Sequence, residues 1–268
     1  MKFWKKLAIG YGLIIFSVLL QAQEKMISNR IGVEFGFNDF FGETIVPERV
    51  RGGESIEGGD WLTNTYTNQI LEVLYCGIKY EQYFYEKHIG FAAGLRFSQL
   101  SADINGGYTY FLLFPIENSF LWQFREEGIY TDYLRINRIT QKNNYLGIPL
   151  EFSYITKKRD SFFRPYVKIG VVVNYLLSTT NSIVFVSEQM NNQYADAVEN
   201  QQEKPKSFNS YFYPAIGFKL GKNRHIWINI EFQLSQFFNA RKAHPFIRSN
   251  FGIGMQLSVQ IPLNKKTK

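Results

Sequence analysis

Eight stretches of this chain alternate apolar and polar residues, and that period of two constrains the fold more than any other feature. The clearest stretch reads Ile226, Trp227, Ile228, Asn229, Ile230, Glu231, Phe232, Gln233, Leu234, Ser235. Even positions are bulky and apolar; odd positions are mostly polar. Successive side chains of an extended strand point to opposite faces, so each stretch predicts a strand with two chemically different faces. The strands fall at about 30–39, 69–84, 89–98, 145–155, 163–177, 208–220, 226–235 and 247–261.

The connections decide how such strands join. Long ones cover about 40–68, 101–142, 178–207 and 238–246; short ones cover about 85–88, 156–162 and 221–225. Strict alternation of long and short is the pattern of an outer-membrane barrel, with turns in the periplasm and loops outside. Connections this long would be suspicious in a compact soluble domain. The expected fold is therefore all-β: an eight-stranded antiparallel up-and-down transmembrane β-barrel. Pro149 and Pro214 fall inside the runs, where a closed barrel has no edge strand for them. A bulge or a strand end is expected at each.

A soluble ligand-binding barrel would also alternate, with its apolar face inside. Three facts favour apolar residues outside. The polar face is rich in glycine, at 32, 36, 77, 90, 94, 147, 170, 217, 252 and 254, which suits a narrow interior. The apolar face carries more large side chains than eight strands enclose. The long connections all lie at one end. Tyr80, Phe84 and Tyr154 near the short-turn end, and Tyr175 and Phe212 near the other, read as two interfacial girdles. Mean hydropathy is only −0.20 although aromatics reach 17%; a barrel shows lipid only every second residue.

The N-terminus reads as an export signal. Lys2, Lys5 and Lys6 precede an apolar run from Leu7 to Leu20, and a small residue follows at Ala22. The run is shorter than the ~20 residues of a spanning helix. Residues 1–22 are expected to be a cleaved signal peptide and 23–268 the barrel domain, exported to the outer membrane of a Gram-negative bacterium. The net charge of +7 is too mild to indicate nucleic acid, the more so once the leader's lysines are removed. Cys76 is the single cysteine, so no intrachain disulfide forms; it falls on the apolar face as a small hydrophobe.

The polar face collects Glu34, Lys79, Glu81, Arg96, Glu151, Lys168, Lys219 and Glu231. Four acids and four bases in one narrow lumen survive burial only when paired. A packed ion-pair network that plugs the barrel is expected; a narrow pore with a charged constriction is the alternative.

Some local sequence goes further. Ile148-Pro149-Leu150, Pro165-Tyr166-Val167, Gly94-Leu95-Arg96-Phe97-Ser98 and the Gly-rich last strand resemble the Bacteroidota outer-membrane β-barrel family, which includes the PorT-like proteins. The resemblance implies an OmpX-like eight-stranded barrel and, through PorT, a role beside the type IX secretion machinery. The chain departs from many such barrels in running past Ile261 to Lys268 rather than ending on an aromatic residue.

The sequence argues weakly for chemistry. His88 and His225 fall at short turns. His244, on the long-loop side, has Ser249 nearby, the one nucleophile–base pair a lipid-A-modifying barrel enzyme could use; such spacing is common by chance. No metal-ligand spacing, phosphate loop or nucleic-acid motif is present, so no metal or cofactor is expected. The second long connection is the most unusual piece. It holds Tyr110, Phe111, Phe114, Phe120, Trp122 and Phe124, and then a strand-like run from Tyr133 to Ile139. Strands three and four are expected to extend beyond the membrane as a raised hairpin. Its apolar loop would bind a partner or cap the barrel mouth. The reading is a non-enzymatic outer-membrane protein, in contact with membrane lipid, that presents long loops to a protein partner in secretion or adhesion.

Overall fold

The computed structural model describes residues 28–44, 50–51, 69–84, 88–105, 108–111, 114–117, 120–124, 132–156, 161–222, 225–238, 245 and 247–263. The expected signal peptide lies outside them.

Twelve strands and one helix follow in order: β1 (Ser28–Thr44), β2 (Val50–Arg51), β3 (Gln69–Phe84), β4 (Ile89–Asn105), β5 (Tyr108–Phe111), β6 (Phe114–Glu117), β7 (Phe120–Phe124), β8 (Asp132–Ile155), β9 (Phe163–Phe185), α1 (Glu188–Asn200), β10 (Phe208–Leu220), β11 (Trp227–Phe238) and β12 (Ile247–Pro262). Eight of these strands, β1, β3, β4, β8, β9, β10, β11 and β12, pair antiparallel in chain order. The ring closes where β12 meets β1, from Arg30↔Pro262 to Thr44↔Ile247. The expected up-and-down barrel forms.

The alternation sets the faces. Ile31, Val33, Phe35 and Phe37 of β1 point outward and are exposed, while Arg30, Gly32, Glu34 and Asn38 point inward and are buried. The same rule holds around the ring, so the apolar face is outside. Tyr80, Tyr154, Tyr175 and Phe212 are exposed on that wall, as is Cys76. Among the described residues no helix is long and apolar enough to cross a membrane; a barrel crosses with strands.

The prolines behave differently from each other. At Pro214 the β10–β11 register shifts between Phe212 and Ala215, the expected bulge. At Pro149 the registers with β4 and β9 run through unshifted. The expected bulge is absent there: β8 keeps its pairing with β9, and the ring without an N–H is accommodated on the β4 side, where the pairs at Ile148 and Pro149 are missing.

β8 and β9 are the long strands, 24 and 23 residues, against the ~9–11 of a membrane-crossing strand. Their surplus forms a raised pair at the long-connection end. The raised hairpin expected from the sequence is of the third and fourth strands, β4 and β8, but β4 stops at Asn105 and β8 continues upward chiefly against β9, the fifth strand of the ring. β7 pairs with the tip of β8, Phe120↔Ile136 to Phe124↔Asp132, and β2 pairs with β7. β5 and β6 form a separate hairpin.

Polarity inverts in this raised part. Leu134, Ile136, Ile139, Ile183 and Phe185 are buried inside, whereas Arg135, Arg138, Lys142, Thr180 and Ser182 are exposed outside. Two register shifts change which positions of β8 and β9 face inward. The β8–β9 register slips between Asn144 and Tyr145, which moves the inward set of β9 from even positions (Val172, Asn174) to odd ones (Ile183, Phe185). A second slip, between Ile136 and Arg138, brings both Ile136 and Ile139 inside. One extra residue flips every side chain beyond it.

The connection from β9 to β10 carries α1. Its Met190, Tyr194, Ala197 and Val198 pack on the apolar cluster of the raised part, with Val198 fully buried. The Phe124 ring meets Tyr194 edge-on at 5.5 Å. Asn181 Nδ2 donates to the Glu199 carbonyl (3.1 Å), Gln141 Nε2 donates to the Glu203 carbonyl (3.0 Å), and the Ile183 N–H donates to the Glu199 carboxyl (3.2 Å). Partial burial raises that carboxyl above its ordinary value; the Ile183 N–H opposes the rise and Asp196 adds to it.

Candidate functional site

All eight charged residues expected in the lumen are buried there. Alternate positions of a strand share a face, so β3 contributes Lys79 and Glu81, β9 contributes Lys168, and β11 contributes Glu231. Six of the eight form one network. Glu34 binds Arg96 Nε (2.7 Å) and Lys79 (3.0 Å). Glu151 binds Lys79 (2.7 Å), Lys168 (2.9 Å) and, more distantly, Arg96 (3.6 Å). Lys168 also pairs with Glu231. Glu81 and Lys219 form a second pair (3.0 Å) toward the short turns, joined by Tyr83 and Gln260.

Tyrosines tie the charges to the wall. Tyr213 donates to Glu151 (2.6 Å) and Tyr166 to Glu231 (2.8 Å). Arg96 donates to Tyr211 Oη (3.0 Å), and its guanidinium lies 4.1 Å from the centre of the Tyr75 ring. Tyr75 Oη also receives Gln233 Nε2 (3.0 Å) and donates to Gln256 (3.1 Å). The inward glycines make room for these rings: a methyl at Gly170 would overlap Tyr213, and one at Gly217 would lie 2.6 Å from Tyr166 Cζ.

At the short-turn end a floor of side chains lies across the lumen, and it contains two charges missing from the expected set. Trp227 lies between the guanidinium groups of Arg30 (3.4 Å) and Arg164 (3.7 Å), with Tyr83 against its edge (5.4 Å). Arg30 donates to the His225 carbonyl (3.0 Å), Arg164 to that of Gly221 (2.7 Å), and Trp227 Nε1 to that of Lys222 (3.0 Å). Arg30 has the parity of Glu34, and Arg164 that of Lys168, so extending the alternation to the first turn of each strand identifies both. The buried charges then number six bases and four acids among the described residues.

The lumen is thus layered from the short turns outward: an Arg–Trp–Arg floor, two layers of ion pairs braced by tyrosines, and above them the apolar cluster with α1. Amide side chains lie between the last two, with Asn174 donating to Asn209 (2.8 Å) and Asn143 to Gln141 (3.2 Å).

The residues expected to bind a partner separate. The backbones of Tyr110 and Phe111 lie in β5, of Phe114 in β6, and of Phe120 and Trp122 in β7. Phe124 is buried against Tyr194 in the mouth, the capping position. Of the histidines, His88 Nδ1 lies 2.7 Å from the Ile155 carbonyl, and His225 is exposed at a turn. His244 lies outside the described residues. Among the described residues no group of three His, Cys, Asp or Glu could hold a metal ion.

Two solved structures match the chain at low identity. The outer membrane protein OprG from Pseudomonas aeruginosa matches 88% of this chain over 94% of its own, at 12% identity and a TM-score of 0.37. The N-terminal β-barrel domain of Pseudomonas aeruginosa OprF matches 89% over 100%, at 10% identity and a TM-score of 0.33. No curated protein matches the chain. The sequence model of the outer membrane protein beta-barrel domain matches residues 21–240, and the chain belongs to that family of outer-membrane β-barrels.

Proposed function

We propose that this is a non-enzymatic outer-membrane protein whose barrel is a closed anchor and whose raised β8–β9 platform presents a surface to a protein partner outside the cell. The observation that carries the reading is the contrast between the two halves of the molecule. Inside the ring, six of the eight expected charges share one buried network and an Arg–Trp–Arg floor lies beneath it. Above the apolar band, β8 and β9 continue well past the length a membrane needs and carry β7 and β2 on their flank. A buried, mutually paired network is a poor ion path, whereas structure built outside the membrane serves contact.

Within this reading residues 1–22 are a signal peptide removed on export, the short turns face the periplasm, and the partner belongs to secretion or adhesion. The PorT-like sequence runs favour a secretion accessory of the type IX kind. The platform residues proposed for contact are Tyr110, Phe111, Phe114, Phe120 and Trp122.

Two measurements test the proposal. Crosslinking and pull-down from native outer membrane should capture a defined protein complex that is lost when residues 108–124 are deleted; complexes that survive the deletion intact defeat the partner reading. Reconstitution in planar bilayers should give no steady single-channel steps. Such steps would establish the narrow-channel alternative instead.

A further inference from the structure

The outer wall is not uniform where the apolar band ends. On β8 the outward residues run Phe152, Leu150, Ile148 and Leu146, all exposed and apolar, and then Asn144, Lys142, Thr140 and Arg138. Lys142 is exposed four residues along the strand from Leu146 on the same face, and Arg138 and Arg135 are exposed further up. Two strands away the approach to β10 repeats the pattern. Phe208 is exposed and packs its ring on Tyr175 (4.9 Å), forming an aromatic girdle. Lys206 and Lys204, in the segment leading into β10, are exposed, with Pro205 buried between them. The Ser207 carbonyl accepts the Leu176 N–H (2.8 Å), which fixes this segment beside β9.

Lys142 pairs in register with Thr180 of β9, and Phe208 with Tyr175. Lys142 and Phe208 are therefore separated by about 13 Å along the sheet and about 10 Å across it, and Lys206 and Lys204 precede Phe208 on the side toward Thr180. Flexible lysine side chains at that spacing can reach one headgroup. Most acids of this sector lie off the patch. Glu199 takes the Ile183 N–H, and Glu188 and Asp196 sit on α1. Glu203 is exposed beside Lys204, and its carbonyl binds Gln141. Asp103, opposite Thr140, bounds the patch on the β4 side. Around the ring the wall changes sign: at the same end Asp39 and Glu72 face each other across β1 and β3.

We infer that the β8–β10 sector holds a phosphate-bearing lipid headgroup of the outer leaflet, with its acyl chains on the apolar band below and its phosphates on Lys142, Lys204 and Lys206. Lipid is favoured as the occupant because Lys142 stands above the lipid-facing Leu146, Ile148 and Leu150 of its own strand and Lys206 lies two residues from the exposed Phe208. There an anionic headgroup is already concentrated, and each nearby lysine adds to its retention. The inference rests on the proposed orientation, with the long connections outside.

The test uses the full chain in nanodiscs of zwitterionic phospholipid doped with a phosphorylated disaccharide glycolipid, and native mass spectrometry to count the lipid retained. The combined variant Lys142→Gln, Lys204→Gln, Lys206→Gln should lower retention about tenfold or more. The corresponding Lys→Arg variant should keep it, as should Asp39→Asn with Glu72→Gln on the opposite wall. Equal retention of the same lipid stripped of its phosphates would overturn the inference, as would unchanged retention by the Gln variant. So would equally tight binding of inorganic phosphate or of a soluble acidic peptide, since neither has chains to lie on the band. Membrane-impermeant labelling of Lys142→Cys in intact cells tests the orientation separately: labelling supports it, and labelling only after the outer membrane is opened removes the outer leaflet as the source.

Discussion

Arg96 shows how a charge is kept inside a membrane barrel. It is fully buried, yet Glu34, Tyr211 and Gln256 take its N–H groups and the Tyr75 ring covers its face. Replacing it with Met leaves Glu34 buried with only half of its pairing, which should cost about 3–5 kcal/mol. The urea midpoint of the folded barrel in detergent should fall accordingly. Adding Glu34→Gln should recover part of the loss, because the second change removes the stranded charge. A double variant as unstable as the sum of the singles would contradict the pairing. Most of this site was legible at the level of residues, since parity alone places Glu34, Lys79, Arg96 and Glu151 on one face. The Arg–Trp–Arg floor was less legible. Trp227 interrupts the polar face of its stretch as a large apolar residue, and only the ring of strands shows that two guanidinium groups cover it.

At the level of elements, the strand bounds read from the sequence hold for β3 and β10 to the residue and fall short for β8 and β9. The reason is physical. The alternation of β9 changes phase at the register slip near Leu177, and a change of phase reads as a strand end. On β8 the run Thr140 to Asn144 is polar on both faces because its inner side chains, Gln141 and Asn143, meet other amides rather than apolar atoms. The helix α1 lies in a connection read as a loop, although Met190, Tyr194 and Val198 recur at helical spacing. Deleting Thr180, beyond the slip, should shift the rest of β9 by one position and turn Ile183 and Phe185 outward. Limited proteolysis should then cut the β9–β10 connection while the ring itself stays folded; an uncut chain would deny these two side chains their role in docking α1. The docking of α1 should also depend on pH. Because the Glu199 carboxyl is raised above 4.5 in the folded state, its contribution is fully present below the ordinary value and is lost as pH rises through the raised one. The protection factors of the α1 amides should fall over that range in the native chain and stay flat in Glu199→Gln, which keeps an acceptor for the Ile183 N–H.

For the whole molecule, the eight-strand ring, its facing and its long and short ends all follow from the sequence, because a closed barrel leaves a period-two pattern few other solutions. The raised half followed only in outline, since its pattern obeys a different solvent. Within the apolar band the outside is oily and the inside polar; above it the inside is oily and the outside wet. The two cores share the same strands, so the chain bears on the order of its own assembly. In the proposed orientation Ile136, Ile139, Ile183 and Phe185 meet as a core only after their strands have crossed the bilayer, and once joined there by α1 they resist being drawn back. The upper core then acts as a pawl on a ratchet. Ile183→Asn with Phe185→Asn should leave insertion possible but make it reversible, seen as faster extraction of the barrel from liposomes by urea than for the native chain.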